Sequence, residues 1–303
     1  MANHSHSHSH SHLANPLPTP GQLASSGSQL DGVPADLVSS VLFAGARLTQ
    51  QAGVLLRLPH DTIAQAVLIF TRFWIGSEGG SLSQYSVKHV SQAALYLIAK
   101  LSDWPKSPRS LINTYAYLTS IPSTFADTDT FAKHDDRHAY YVDEGSYQLQ
   151  RDELANMEMT VLNVLGYETH VALPFKLCIN YLQALEVLPN HEHASMVAKR
   201  AFAHLNSALF SPQLLYLTHQ PPTLATAAIY LAAREVGVKL PDVEWWEVFD
   251  TDREELGFLV VAMISMESFV KQEKEKWGAR MIPLTLDDVE AEIVRRKDLN
   301  SNA

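Results

Sequence analysis

Few residues in this sequence have types and spacing that could do chemistry. Glu158 shares a helical face with Leu154, Val161 and Leu165, at spacings of three and four. A carboxylate on an apolar stripe is costly unless it is paired. Lys100 is the natural partner, since it ends an apolar helix and follows Ala93 and Leu97 on one face. Spacing alone favours plainer readings, a lysine complementing a helix C-terminus and a glutamate at a stripe's edge. His4, His6, His8, His10 and His12 alternate with serine, which reads as a purification aid or solvated tail with at most weak metal affinity. The run Lys133-His134-Asp135-Asp136-Arg137-His138 holds metal-ligand types without the spacing of a metal site, and reads as a solvated loop. Gly76, Gly79 and Gly80 lack the Lys-Ser or Lys-Thr of a phosphate-binding loop and read as a turn.

Cys178 is the single cysteine, which excludes an intrachain disulfide and a cysteine-based zinc site and fits a reducing compartment. No nucleophile elbow, glycine-rich ATP loop, kinase catalytic loop or kinase metal-binding triplet occurs. The expectation is a chain that is not an enzyme and has no cofactor and no metal. An all-helical small-molecule enzyme would require a pocket with converging polar groups, for which the sequence offers no candidate.

The elements that must position these residues are helices. The chain has 303 residues, of which 46% are hydrophobic and 18% charged. Its 13 glycines are too few for a turn-rich all-β chain. With 23 basic and 33 acidic residues, the formal charge of −10 argues against nucleic acid as the main partner. Apolar runs such as Ala93 to Ala99 are far too short for a membrane span, and no signal-peptide core is present, so a soluble intracellular protein is expected.

The periodicity predicts helices near 35–56, 59–75, 85–101, 107–118, 144–165, 174–187, 193–209, 222–236, 242–249 and 252–271. Ser107 with Pro108, and Thr251 with Glu254, are the expected starts of two of them; Gly166 is an expected stop. Residues 121–143 read as an inserted loop, and Thr285 with Asp288 could cap a helix near 286–297. The expected domains are a disordered tail over 1–33, a helical unit over 34–188, a second over 189–272 with its boundary at Pro189-Asn190, and a charged tail over 273–303.

Residues 93–100 (Ala-Ala-Leu-Tyr-Leu-Ile-Ala-Lys) and 227–234 (Ala-Ala-Ile-Tyr-Leu-Ala-Ala-Arg) agree at five of eight positions, offset by 134. Order and aromatic position together favour duplication over convergent composition. Each half is then a bundle around one alanine-rich helix.

These two halves resemble the tandem cyclin fold over residues 35–272. The resemblance is carried by Ala93 to Lys100, Pro105, Arg109 to Tyr115 and Glu158 to Tyr167. Pro174, Lys176, Tyr181-Leu182-Gln183, Leu185-Glu186, Ala228 to Arg234 and Leu240-Pro241 are similar to the cyclin L group. Trp246 with Phe249 resembles the aromatic pair of transcription cyclins, including cyclins K and T. The implied fold is all-α, two tandem cyclin-box bundles behind a disordered N-terminal tail. The implied function is a nuclear regulatory subunit that binds and activates a cyclin-dependent kinase, as a heterodimer, in RNA polymerase II transcription or pre-mRNA splicing. A PITSLRE-type kinase is the favoured partner, with no membrane or direct nucleic-acid contact.

By the same resemblance Lys100 and Glu158 match the kinase-contacting pair. Leu111, Ile112 and Tyr115 line one side of a short helix near that face, with core packing as the default reading and partner contact as the alternative. Phe70, Phe73 and Trp74 read first as core, as do Trp245 and Trp246. The sequence departs from the family in having Leu101-Ser102-Asp103 where an acidic pair usually follows the box lysine, and in having no Arg-Ser tail. The alternative reading is a cyclin-fold scaffold or nucleic-acid-associated factor resembling TFIIB, without kinase activation.

Overall fold

The computed structural model describes residues 14–121, 124–125, 140–185, 191–278 and 280–301, and every regular element among them is helical. Two short helices, α1 (Pro20–Ala24) and α2 (Gly27–Leu30), come first. A bundle follows, made of α3 (Ala35–Leu55), α4 (His60–Phe73), α5 (Val87–Leu101), α6 (Pro108–Ser120) and α7 (Glu144–Val164). The second bundle holds α8 (Phe175–Ala184), α9 (His191–Ala208), α10 (Leu215–Thr218), α11 (Pro221–Val236), a 3-10 turn over Trp245–Phe249, and α12 (Arg253–Trp277). The last helix is α13 (Leu286–Ser301).

The repeated octapeptides are the axes of the two bundles. α5 packs on α3, α4, α6 and α7; α11 packs on α8, α9, α10, α12 and the 3-10 turn. Ala93, Ala94 and Ala99 of α5 are buried, as are Ala227, Ala228, Ala232 and Ala233 of α11. Methyl side chains on every face let neighbouring helices approach a central one from all sides. Gly45 takes this further on α3, because a Cβ there would lie 2.4 Å from both Phe70 Cζ and Val87 Cγ1.

Local signals set the helix ends. The Ser107 hydroxyl accepts from the Ser110 amide at 3.2 Å, with Pro108 in the first turn. After α7, Tyr167 N–H donates to Leu162 O at 2.8 Å and Gly166 N–H to Asn163 O at 3.1 Å, with Gly166 at a φ of 57°. One cap differs from expectation. Asp252, not Thr251, starts α12, accepting from the Glu255 amide at 2.7 Å. Thr251 is buried and donates its hydroxyl to Phe249 O. Either residue type suits the position, and burial of the threonine decides between them.

Three expectations about organisation are corrected. Residues 14–33 were expected in a disordered tail, but α1 and α2 each open with a capping box and the segment is packed down. Buried Asn15 donates to Ala172 O at 2.9 Å, accepts from Ala172 N at 2.7 Å, and exchanges hydrogen bonds with the Gln220 side chain. Low apolar content misleads here because the segment is held by polar contacts with both bundles. Helix α8 was expected in the first unit, yet it packs on α9 and α11. Phe175 meets Phe202 edge-on, and Tyr181 stacks on Phe249 at 3.9 Å between centroids. Proline marks a loop; it does not say which core the next helix joins.

The segment after 273 was expected as a charged tail. It instead returns to the first bundle, with Trp277, Ile282 and Leu284 buried. Leu284 O accepts from the Lys88 amide at 3.0 Å and from Ser86 Oγ at 3.2 Å, at the start of α5. Thr285 and Asp288 form the expected cap of α13. The histidine run at 4–12, the loop run 133–138 and the boundary at Pro189-Asn190 lie outside the described residues.

Candidate functional site

The carboxylate on the apolar stripe and the ammonium offered as its partner meet. Lys100 closes the last turn of α5, Glu158 lies on α7, and the packing of these helices brings Lys100 Nζ into direct contact with Glu158 Oε1. The glutamate side chain is only 13% exposed and the lysine 41%. Lys100 Nζ also sits 4.7 Å from the centroid of the Tyr96 ring, one turn back on α5. Glu158 is thus a nearly covered anion whose charge is met by a cation with one open side. The ammonium can donate and the carboxylate can accept hydrogen bonds outward without first breaking free of the core.

Apolar residues close to the pair in sequence are exposed. Leu101 is 64% exposed and Trp104 54%, and Met159 next to Glu158 is 53% exposed. The turn that carries Trp104 is fixed by Ser102, whose hydroxyl donates to Ala99 O at 2.9 Å and accepts from the Trp104 amide at 3.1 Å. Sequence reading missed these three flanking residues and Tyr96. An exposed leucine or tryptophan carries no periodic signal that marks it as a contact. The single acid left after the box lysine, Asp103, is exposed.

Leu111, Ile112 and Tyr115, expected near a partner-facing edge, show no exposed surface. The core reading holds for them and the partner-facing one is corrected, since a buried side chain offers a partner nothing. Tyr115 OH and Ser91 Oγ are 2.6 Å apart, Ser91 Oγ and Thr49 Oγ1 2.7 Å, and Thr49 donates to Gly45 O at 2.8 Å. This chain of hydroxyls joins α3, α5 and α6 in the core. Burial pushes the Tyr115 phenol above its ordinary pKa, against the pull of its hydrogen bonds. Phe70, Phe73 and Trp74 are buried, and so is Trp245. Cys178 is a buried thiol pushed up to about 12 by burial.

The basic residues of the C-terminal segment are turned onto acids. Glu292 contacts Arg280, Arg295 and Arg296, and Asp36 contacts Lys276 and Arg296. They do not form the open cationic stripe that phosphate-backbone binding requires. Among the described residues no helix is long and apolar enough to cross a membrane.

No family model matches the sequence. An uncharacterized cyclin-L1-like protein of Schizosaccharomyces pombe is 30% identical over 253 residues, covering 82% of this chain and 89% of its own. Cyclin-L1 of Gallus gallus is 26% identical over 271 residues, covering 89% of this chain and 45% of its own. Cyclin-L2 of Mus musculus is 27% identical over 286 residues, with coverages of 94% and 49%. The chain spans about half the length of these two vertebrate relatives. Among solved structures, a chain of the yeast RNA Pol II CTD kinase CTDK-1 complex matches with a TM-score of 0.64 at 12% identity, over 94% of this chain and 84% of that one. A chain of the CAK complex of Chaetomium thermophilum bound to ATP-gamma-S matches at 0.53 and 17%, over 88% and 79%. At these identities the two structures establish the shared fold.

Proposed function

The chain belongs to the cyclin family, close to the cyclin L group, and from that premise we propose that it is a regulatory subunit of a cyclin-dependent protein kinase acting in RNA polymerase II transcription. It is not itself an enzyme. It supplies a rigid surface against which the kinase's mobile helix docks, so that the kinase's own catalytic Lys–Glu pair is held in line. A PITSLRE-type kinase, a nuclear location and a role in pre-mRNA splicing are the finer parts of this reading.

The observation that carries it is the Lys100–Glu158 pair at the open end of the first bundle's central helix. A structural ion pair needs no open side, whereas this one is flanked by exposed Leu101, Trp104 and Met159. The pair hydrogen-bonds the kinase backbone, while the apolar side chains bury against the mobile helix. Leu111, Ile112 and Tyr115 act one layer down, by fixing α5.

The test is co-expression with a PITSLRE-type kinase followed by pull-down and a kinase assay. Lys100→Glu and Glu158→Lys are each expected to weaken association at least tenfold, since either leaves a like-charge pair in a desolvated contact. If both variants retain full kinase association, the assignment of this face is wrong. Normal association with unchanged kinase activity would instead remove the activating role.

A further inference from the structure

We propose that the groove between the two bundles docks a peptide segment of a partner protein, one in which an aspartate or glutamate stands among apolar side chains. The groove has a volume of about 500 Å³ and is walled by α3, α9 and α12. Phe43 and Arg47 come from α3, Phe210 from the turn after α9, and Met263 and Met266 from α12. It lies apart from the Lys100–Glu158 face, none of whose residues lines it.

Charge identifies the occupant. Arg47 lies over the Phe43 and Phe125 rings, with its Cζ 5.7 and 5.4 Å from their centroids. Burial pulls its pKa below the ordinary arginine value, and no acid opposes that shift. No ion pair to Arg47 forms among the described residues, and its guanidinium rests on aromatic rings.

Of the two acids in the lining, Glu235 is committed, accepting from Arg200 and contacting His204 at 3.0 Å, and Glu267 is exposed to solvent. A half-buried guanidinium on an aromatic bed is costly without an anion. A carboxylate entering with apolar neighbours satisfies the cation and covers half-buried Phe210 and exposed Ile264 at once. The buried methionines beneath them adjust to an irregular peptide because their side chains are flexible and polarizable.

The experiment uses the full chain carrying ¹³C-methyl methionine, titrated with two capped tetrapeptides, acetyl-Leu-Asp-Leu-Phe-amide and its Asn counterpart. The Asp peptide is expected to shift the Met263 and Met266 methyl signals and to bind about tenfold more tightly than the Asn peptide. Arg47→Gln is expected to make the two peptides equal. Ala203→Glu, on the exposed wall of α9, places a carboxylate in the groove and is expected to abolish the preference for Asp. The second variant decides the matter if Arg47→Gln does not fold. Equal affinities for the wild-type chain, binding of neither peptide at millimolar concentration, shifts confined to Met159 and Met196, or a folded variant that keeps the Asp preference would each overturn the proposal.

Discussion

The two bundles share an axis and differ at its ends. In the first, Tyr96 and Lys100 close α5 and Lys100 finds Glu158. In the second, Tyr230 and Arg234 stand at the equivalent positions of α11, with Arg234 Cζ 5.8 Å from the Tyr230 ring. Among the described residues Arg234 has no carboxylate partner comparable to Glu158, and its neighbour Glu235 is taken by Arg200 and His204. The start of α5 is also clasped by the C-terminal segment through Leu284 O, whereas α11 begins beside Gln220 and is tied to Asn15. The core of a duplicated module is thus retained because its packing problem is the same in each copy. The ends diverge because nothing in the packing constrains them, and that freedom leaves one copy able to carry the proposed docking face.

The largest test of this comparison concerns the shared axis. Leu95 and Ile229 occupy matching buried positions, so Leu95→Ala and Ile229→Ala are each expected to cost about 2–5 kcal/mol in urea unfolding. Hydrogen exchange should place each loss mainly in its own bundle. Uniform loss across both bundles would show that they form one cooperative unit.

A smaller effect is expected in acid, on the clasp. Hydrogen bonds from Arg295, opposed by burial and aided by Arg296, hold the Glu292 carboxyl down to about 2. In the unfolded chain a glutamate titrates at about 4.3. The folded-state value is the lower one, so the clasp's contribution is complete above the unfolded value and lost as pH falls through about 4 towards 2. Hydrogen exchange at the start of α5 should accelerate over that range, and Glu292→Gln should remove the dependence. An unchanged pH profile in the variant would assign the acid response to other groups.

The smallest effect is the most discriminating. Arg234→Ala is expected to change stability by no more than about 0.5 kcal/mol and to leave kinase association intact, because it removes an exposed cation without a carboxylate partner. A loss of association as large as that from Lys100→Glu would mean that both copies dock the kinase.

The sequence by itself determined the longer helices, the helix ends at Ser107, Gly166 and Thr285, and the duplication. Ser107, Pro108, Gly166 and the alanines of α5 and α11 act within one or two turns, where 3.6-residue periodicity and backbone hydrogen bonding decide the outcome. It also marked Glu158 as a carboxylate in need of a partner, and the family resemblance favoured Lys100 as that partner, although their contact spans 58 residues and rests on how α5 meets α7. Tertiary structure alone decided which side α8 joins, that Asn15 and Leu284 bind segments with the composition of tails, and that Tyr115 faces Ser91 in the core. The physical reason is range. Propensity and capping are local energies readable along the chain, whereas burial and charge pairing depend on neighbours that only the packed bundles bring together.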